Sequence, residues 1–516
     1  MATSHGALGE RSAVRVSADG ETGADVFRAA HETAESTPVV KVGSTGANGL
    51  SPLVLVTHEG RTAFIPNCGT ERARSIVAEL ENETLPDGAE AVVEHDPDTT
   101  TLPTPQTGPL SVGSRNVLGG SGWTAPASID DYTESWDGEL LTERFIEEPE
   151  TVRKHVTTSG LRGRGRGDAS ADAPIAEEWT TAREAAGDPV VVVNGNETDD
   201  HAAGDRLLLE SAPLAVLDPA LAAANAVDAT DVVVYTNETE TIARERTEKA
   251  ADALEEAVDT GVSIQVVAGP DEYKAGEPTM ALEALEGNHR IEARRGPPGP
   301  SEYGLNGRPT LIHTSRTFAQ IGRVLTGDDP GGAESDPGTR LFTVAGDVDA
   351  AATVELSTGA TLEAALPAVE TEDGQKAACV GGVFGGLTRS LDVPASAPGL
   401  NSAHLGTNGV VELLGDTTCM VALAGQRAKF AKEENCGRCV PCREGSKQLV
   451  DLLRDVYDGE YKDGMLRELT RVMRDTSLCA FGHDASRPTM TAMEEFETEF
   501  NAHAKGRCPT GACNHP

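Results

Sequence analysis

Three cysteines at C-x2-C-x2-C spacing constrain this chain more than any other feature of its sequence. Cys436, Cys439 and Cys442 fall within one short turn, and Cys479 follows in the segment Ser-Leu-Cys-Ala-Phe-Gly. Several soft thiolates at one point suit an iron–sulfur cluster, and the residues between Cys442 and Cys479 have the period of two helices that can return the fourth ligand. A zinc site is the alternative, but four-cysteine zinc sites usually pair two C-x2-C knuckles, of which one is present. Structural disulfides are the weakest interpretation.

The charge balance limits the kind of partner. The net charge of the 516 residues is -40 at pH 7, which argues against nucleic acid as a partner. The acidic residues are spread along the chain, Arg outnumbers Lys, and only 4% of the residues are aromatic. We interpret this as a halophilic composition, because high salt screens the repulsion within an acidic surface. Intrinsic disorder is the alternative, but 38% hydrophobic residues in recurring runs argue against it for most of the chain.

The sequence also bears on the compartment. No apolar run reaches the length of a membrane span, and the first residues lack the apolar core of a signal peptide. Nine cysteines, several of them clustered, fit metal binding in a reducing compartment better than a disulfide framework. We therefore expect a soluble cytoplasmic protein without direct membrane insertion.

The first 95 residues predict a tail followed by a small domain. Residues 1–36 are polar, acidic and without period, and we expect them to be a disordered tail. Residues 37–95 contain strand-like and helix-like runs, which predict a small α/β unit; we interpret it as a degenerate thioredoxin-like fold. Cys68 is its only cysteine, so an inert buried thiol is favoured there over a ligand.

Residues 110–330 predict a parallel α/β domain, because strand-like and helix-like runs alternate. The run Val190–Val193 is continuously apolar, as in a central parallel strand, and it ends at polar residues 194–197, where open α/β sheets bind ligands. Earlier in the domain, Arg and Gly alternate over residues 162–167. Free N–H groups and positive charge there suit a phosphate, and a mobile basic loop is an equal alternative.

The last third of the chain predicts two further domains. Residues 338–415 contain a hairpin-like pair of runs, a short helix and a final strand, which indicate a compact β-rich domain. Residues 416–505 carry apolar residues at helical spacing in four segments with short connections, which predicts a helical bundle with the cysteines at one end. Residues 506–516 form a tail with two more cysteines.

Together these segments resemble a known family. The motif Cys436–Gly445, Cys479 and the segment Asp-Thr-Thr-Cys-Met at 416–420 are similar to the flavin-bearing, NADH-oxidising subunit of respiratory complex I and its relatives in NAD-linked hydrogenases and formate dehydrogenases. The resemblance covers roughly residues 110–505. It implies an α/β plus α architecture: a Rossmann-like FMN domain, a ubiquitin-like β-grasp domain of the soluble-ligand-binding (SLBB) type, and a C-terminal four-helix bundle with one [4Fe-4S] cluster.

The resemblance also implies an activity. A subunit of this kind takes a hydride from NAD(P)H onto FMN and passes single electrons through the [4Fe-4S] cluster to other redox subunits, either ferredoxin-like or complex I-like. Such a subunit can sit peripherally on a membrane complex. The implied cluster ligands are Cys436, Cys439, Cys442 and Cys479. The implied flavin-site residues are Glu197 as the catalytic residue beside flavin and nicotinamide, with Gly163, Arg164, Gly165, Asn194, Glu277 and Thr317 in cofactor binding.

The flavin half departs from the family pattern, whereas the cluster half does not. In the family the glycine loop continues Gly-Gly-Ala-Gly-Phe-Pro, but Arg166, Gly167 and Asp168 follow here. Glu178 stands at the position of a phosphate-binding Lys, and a carboxylate there repels a phosphate. His313 and Thr314 replace an Asn pair at the flavin phosphate.

These departures leave alternatives open. The chain is either an oxidoreductase subunit that uses FMN and NAD(P)H, or a non-catalytic iron–sulfur scaffold or relay that has lost flavin or nicotinamide binding. A zinc-stabilised helical adaptor is a third possibility. Cys508 and Cys513 resemble the point at which hydrogenase-type members continue into an extra ferredoxin domain, and we interpret them as a vestige rather than a redox pair or a partner contact.

Overall fold

The computed structural model describes residues 8, 12–136, 138–327, 329–371 and 374–513. Within them, two mixed α/β units are followed by a β-rich unit and then by helices alone. Among the described residues, no single helix is long and apolar enough to cross a membrane. One sharply bent pair of helices, Gly204–Ser211 and Leu214–Ala226, reaches that length and apolar character only when the two helices are counted together.

The first unit is a five-stranded sheet with two helices packed on one face. Its strands follow the order β2-β1-β3-β4-β5, with β1 parallel to β2 and antiparallel to β3. The small side chains Val26 and Ala30 of the first helix pack with Ile76 of the second over the strand valines. The elements are β1 (Ser12–Ser17), α1 (Gly20–Thr33), β2 (Val39–Val42), β3 (Val54–His58), β4 (Arg61–Ile65), α2 (Thr70–Glu81) and β5 (Ala91–Glu94).

This unit corrects the expected N-terminal tail. Disorder over residues 1–36 is wrong for β1 and α1, and the α/β unit begins at Ser12 rather than at residue 37. The reason is the place of β1 inside the sheet, where Ala13, Val14 and Val16 are fully buried. Cys68 is buried as expected, and burial raises the pKa of its thiol to about 11.

The second unit is built on a four-stranded, wholly parallel sheet with the order β8-β7-β6-β9. Val190–Val193 are all fully buried, as the apolar run predicts. The apolar stretch Leu207–Ala226 forms two helices, which are separated at Ala212 and Pro213. The elements are α3 (Ile129–Glu134), α4 (Leu141–Phe145), α5 (Pro149–Ser159), α6 (Ala176–Glu184), β6 (Val190–Gly195), α7 (Gly204–Ser211), α8 (Leu214–Ala226), β7 (Asp231–Asn237), α9 (Thr241–Ala257), β8 (Ser263–Gly269), α10 (Pro278–Leu285), β9 (Thr310–Thr314) and α11 (Ser315–Leu325).

The third unit is a five-stranded sheet of order β13-β12-β16-β14-β15. Its first long strand and its last strand, β12 and β16, are central and parallel, and the other neighbouring pairs are antiparallel. The elements are β10 (Gly332–Ala333), β11 (Asp336–Pro337), β12 (Thr339–Gly346), β13 (Ala352–Ser357), β14 (Gln375–Val380), β15 (Gly386–Thr388), α12 (Ala397–Ser402) and β16 (Val410–Gly415).

The last unit is helical, and its predicted apolar stripes form its core. Leu449, Leu466, Met473, Phe496 and Phe500 are fully buried. The last helical stretch is divided at Phe496, which lies between the end of α17 and the start of α18. The elements are α13 (Met420–Glu434), α14 (Val440–Tyr457), α15 (Asp463–Thr476), α16 (Ala480–Asp484), α17 (Arg487–Glu495) and α18 (Glu497–His503).

Candidate functional site

The four cysteines predicted as cluster ligands line one cavity at the end of the helical unit. Cys436 lies in the loop after α13, Cys439 caps the N-terminus of α14, Cys442 follows in the first turn, and Cys479 caps α16. The rest of the lining includes the apolar side chains Ala293, Leu478 and Phe481. The structure therefore brings together all four residues that the spacing selected.

The chemistry of these thiols fits a metal cluster. Burial, and then the neighbouring Cys439 and Cys436, raise the pKa of Cys442 to about 12. Burial also raises the pKa of Cys479. Thiolates that line one cavity repel one another, and a bound cationic centre deprotonates and stabilises such a group. The donor set is therefore the one that a [4Fe-4S] cluster requires.

A second ligand set lies elsewhere in the helical unit. The ligand atoms of Cys419, His503, Cys508 and Cys513 all lie within 4.8 Å of one another, and this is the one such group of three or more His, Cys, Asp or Glu found among the described residues. Cys508 and Cys513 therefore converge with two bundle residues, which a vestigial tail does not require. The signal in the sequence was the regular spacing His503-x4-Cys508-x4-Cys513 together with Cys419.

The geometry of this second set suits a single tetrahedral zinc ion. His503 Nδ1 lies 2.8 Å from the carbonyl of Glu499, and donation there leaves the lone pair of Nε2 facing Cys419 Sγ at 3.3 Å. Zinc with sulfur ligands at about 2.3 Å places tetrahedral donors about 3.8 Å apart. Burial opposes ionisation of Cys508, but the Thr510 hydroxyl and backbone N–H groups outweigh it and lower the pKa of this thiol to about 5.

The parallel sheet has one topological switch point, between β6 and β9. Successive strands β6, β7 and β8 extend the sheet in one direction, and β9 returns to the other side of β6. Open α/β sheets bind ligands at the carboxyl ends of such a strand pair. Asn194 ends β6 there, and its Nδ2 donates to the carbonyls of Gly167 at 2.8 Å and Gly276 at 3.1 Å. Its Oδ1 is buried and has no partner within the described part of the chain.

A small cleft at this switch point is lined by residues that include Asn194, Thr314 and Arg166. The fully buried carboxylate of Asp168 lies beside it and contacts Thr314. Asp168 Oδ1 accepts a hydrogen bond from the N–H of Ser170 at 2.8 Å and lies 2.9 Å from His313 Nδ1. Asp168 Oδ2 accepts from the hydroxyl of Thr317 at 2.7 Å and from the N–H of Thr314 at 3.3 Å. Burial acts to raise the pKa of Asp168, but His313 and these donors outweigh it and hold the pKa below its ordinary value.

The protonation of His313 follows from its second neighbour. The indole Nε1 of Trp179 lies 3.1 Å from His313 Nε2. Because an indole N–H can only donate, Nε2 must accept, and the proton of a neutral imidazole then sits on Nδ1. His313 is therefore oriented to donate to Asp168.

Arg166 also lines this cleft. Its Nη2 donates to the Thr198 hydroxyl at 2.8 Å, its N–H donates to Asn408 Oδ1 at 3.3 Å, and its guanidinium stacks 3.8 Å from the ring centroid of Tyr273. The side chain also packs against Gly276, where an added Cβ would lie 2.8 Å from Arg166 Nη2.

The glycine-loop residues predicted to bind a cofactor make contacts that hold the loop in this conformation. Arg164 is buried, with Nη1 2.7 Å from Asp336 Oδ1 and Nη2 donating to the carbonyl of Pro337 at 2.6 Å. Burial, and then Arg340, lower the pKa of Arg164 to about 9. Gly165 has φ +81° and contacts the guanidinium of Arg316.

Both predicted glutamates cap helices. Glu197 Oε2 accepts from the N–H groups of Asp205 and Arg206 at 2.8 and 3.1 Å, at the start of α7. Burial, and then the charge of Asp205, raise the pKa of Glu197 to about 6. Glu277 Oε2 accepts from the N–H of Met280 at 2.9 Å, at the start of α10, and burial raises its pKa.

An acidic cavity adjoins Glu197. The residues that line this cavity include one basic side chain, Arg206, and six carboxylates: Glu197, Asp199, Asp200, Glu210, Glu240 and Asp271. Burial outweighs the attraction of Arg206 and raises the pKa of Glu240 to about 8. A dinucleotide pyrophosphate entering here would meet like charge, which disfavours its binding.

The conformation described for this cleft does not fit FMN. The Thr314 N–H and the Thr317 hydroxyl are already used by Asp168, the N–H of Arg316 donates to Asp205, and the N–H of Thr317 donates to the Thr314 hydroxyl. The Arg166 side chain contacts Thr198 and Tyr273. A flavin phosphate would have to displace a buried carboxylate of the same charge.

Two family models match the chain over these two regions. Residues 422–503 match the NADH-ubiquinone oxidoreductase-F iron-sulfur binding region, and residues 156–323 match the Nuo51 FMN-binding domain.

Individual proteins are similar over most of the chain. The NADP-reducing hydrogenase subunit HndC of Solidesulfovibrio fructosivorans is 30% identical over 429 residues, which cover 78% of this chain and 86% of HndC. The F 2 subunit of the NADH-quinone oxidoreductase of Rhizobium meliloti (strain 1021) is 31% identical over 390 residues, 70% of this chain and 90% of that protein. The crystal structure of NAD+-reducing [NiFe]-hydrogenase in the H2-reduced state has the same fold, with a TM-score of 0.65 at 21% identity over 96% of this chain and 85% of its own.

Proposed function

Because this chain belongs to the family of the NADH-quinone oxidoreductase F subunits, we propose that it is an electron-transfer subunit whose working centre is a [4Fe-4S] cluster. The electron path of the family runs from NAD(P)H through FMN to such a cluster, and this chain carries both the FMN-binding and the iron–sulfur regions of that path. The observation that carries the proposal is the cavity lined by Cys436, Cys439, Cys442 and Cys479.

We assign the units of the fold to the domains of this family. The parallel sheet is the Rossmann-like FMN domain, and its switch point supports this assignment. The sheet with central parallel strands β12 and β16 is the ubiquitin-like β-grasp domain of the SLBB type, and its strand order supports it. The helices from α13 onward are the bundle. The first unit is thioredoxin-like, with β1 parallel to β2 and antiparallel to β3, and Cys68 is its one cysteine.

The residues around the cluster site separate it from water on the side of the cleft. Tyr273 meets Phe384 and Phe430 edge-on at 5.3 Å and Phe481 at 5.7 Å, measured between ring centroids, and Phe481 also lines the cysteine cavity. A bound [4Fe-4S] cluster takes up and releases single electrons. These rings hold the cysteine loop in position and fill the space between the cleft and the cavity.

The opposite side of the cluster site is open to a partner. Val440 follows Cys439 directly and 59% of its surface is exposed, and Cys436, Cys439 and Cys479 are only partly buried. We propose that another redox subunit docks over this edge, as part of a multi-subunit assembly. The comparison proteins are themselves subunits of such enzymes by name.

The cluster proposal is tested on the full-length protein purified without oxygen. We expect four irons per chain and an EPR signal after reduction with dithionite. Cys439→Ala should lose both, because a missing thiolate prevents assembly of the cluster, while Cys68→Ala, which changes a buried thiol of the first unit, should keep both. A wild-type protein that stays EPR-silent after reconstitution with iron and sulfide would refute the assignment.

We also propose that Cys419, His503, Cys508 and Cys513 hold a structural zinc ion. The support is the spacing of the four ligand atoms and the Glu499 carbonyl that orients His503. Metal analysis should find one zinc per chain in addition to iron. Iron without zinc would remove this part of the proposal and leave the cluster assignment standing.

A further inference from the structure

We propose that Asp168 is a built-in anion that occupies the phosphate position of the α/β cleft, so that the chain itself fills the site that a flavin phosphate would need. This inference rests on the proposed function because it concerns the flavin end of the same electron path. It does not depend on the cluster, so this inference and the cluster assignment can fail separately.

The first step is that the position is built for an anion. Thr314 is the N-cap of α11, an eleven-residue helix that begins at the switch point of the parallel sheet. The positive dipole end of a helix N-terminus favours an anion, and the N–H of Thr314 donates to Asp168, while the N–H groups of Arg316 and Thr317 donate to Asp205 and to the Thr314 hydroxyl. The Thr317 hydroxyl and His313 Nδ1 point to the same place, since both contact one carboxylate.

The second step is that the anion is already present. Asp168 lies 145 residues before His313 in sequence, and its carboxylate contacts four donors at 2.7 to 3.3 Å. With His313 held in the Nδ1–H form by Trp179, these four donors are all used by the Asp168 carboxylate, and the nearby buried guanidinium of Arg316 is paired with Asp205. A phosphate at this place would repel Asp168 across a few ångströms in a buried setting, where screening is weak.

The third step is that the loop is fixed in this position. An added Cβ at Gly163 would lie 2.5 Å from Asp168 Oδ1 and 2.6 Å from the Ser170 carbonyl, so the close approach depends on glycine. Arg164 anchors the loop to Asp336 on one side, and Asn194 holds the carbonyl of Gly167 on the other. Arg166 then covers the cleft by stacking on Tyr273.

Two buried polar atoms remain without a hydrogen-bond partner in the described part of the chain. They are Asn194 Oδ1 and Arg166 Nη1. Both side chains line the small cleft beside Asp168. Most buried polar atoms in proteins have a hydrogen-bond partner. These two atoms therefore indicate a polar cleft in which the loop leaves hydrogen-bonding groups unpaired.

The test uses full-length, cluster-loaded protein and three probes: inorganic phosphate, FMN, and riboflavin, which lacks the phosphate. For the wild type we expect no FMN by equilibrium dialysis or flavin fluorescence and no rise in melting temperature with phosphate. Asp168→Ala exposes the donors, so phosphate should raise its melting temperature by about 2–4 °C. Arg166→Gly combined with Asp168→Ala should bind FMN at least tenfold more tightly than the wild type does, and riboflavin should gain less.

Asp188→Asn is the matched control, because this exposed carboxylate lies at the opposite end of the same sheet, before β6; it should behave as the wild type. If Asp168→Ala does not fold, Asp168→Asn removes the charge and keeps an acceptor, and it should show a smaller phosphate response. The inference is overturned if the wild type binds one FMN per chain, or if the folded Asp168 variants respond to phosphate no more than Asp188→Asn. An EPR-active cluster without flavin would support the inference and the proposed function together.

Discussion

Gly163→Ala tests how tightly the loop that carries Asp168 is packed. The new methyl group would lie 2.5 Å from Asp168 Oδ1 and 2.6 Å from the carbonyl oxygen of Ser170. The second contact is with backbone, which cannot rotate away, so either the loop shifts or the carboxylate leaves its donors. Overpacking of this kind costs about 1–3 kcal/mol, and we expect the free energy of unfolding of the α/β domain to fall by that amount.

The assay is urea unfolding followed by tryptophan fluorescence; of the three tryptophans, Trp179 reports on this site because its indole contacts His313. Gly425→Ala in α13 is the matched control: a Cβ there has no neighbour within 4 Å, and the lower backbone freedom of Ala should stabilise the helix by about 0.5–1 kcal/mol. The two substitutions therefore have opposite expected signs. Equal stability of Gly163→Ala and wild type would show that the loop does not pack on Asp168 as described.

Three further predictions follow from the charges and ligands. Because the pKa of Asp168 is held below its ordinary value, its hydrogen bonds stabilise the fold at neutral pH and this contribution is lost as the pH falls through the folded-state pKa; Asp168→Asn should flatten the acid limb of a plot of stability against pH. The pKa of Glu240 is instead raised to about 8, so the fold loses stability as the pH rises from the ordinary glutamate pKa to about 8, and the loss stays constant above that value; relative to wild type, Glu240→Gln should therefore be more stable at pH 9 than at pH 4, and the same difference at both values would contradict the pKa shift. Cys513→Ser should lose zinc and keep iron, measured by metal analysis, whereas loss of both metals would show that the two sites are not independent.

The sequence was sufficient for the parts of the molecule that depend on local pattern. The spacing of Cys436, Cys439 and Cys442 selects a cluster because three thiolates in one turn have few other uses. The run Val190–Val193 predicts a central strand because both of its faces are apolar. These signals lie within a few residues and need no knowledge of the rest of the fold.

Two parts of the structure could not be predicted from local pattern. The start of the first unit gives no clear apolar pattern in a short window, because the buried side of α1 consists mostly of small residues. These are Gly23, Ala29 and Ala30, together with Val26. Asp168 was noted only as a departure from the family loop. Its role depends on His313, far along the chain, being placed against it by the sheet.

The four rings of Tyr273, Phe384, Phe430 and Phe481 belong to three different units: the α/β domain, the β-rich sheet and the helices. No one of these units can swing relative to the other two without breaking their edge-to-face contacts. Each such contact is worth about 0.5–1.5 kcal/mol beyond the area that it buries, so a movement between the units that carry the cleft and the cysteines has to break these contacts at that cost.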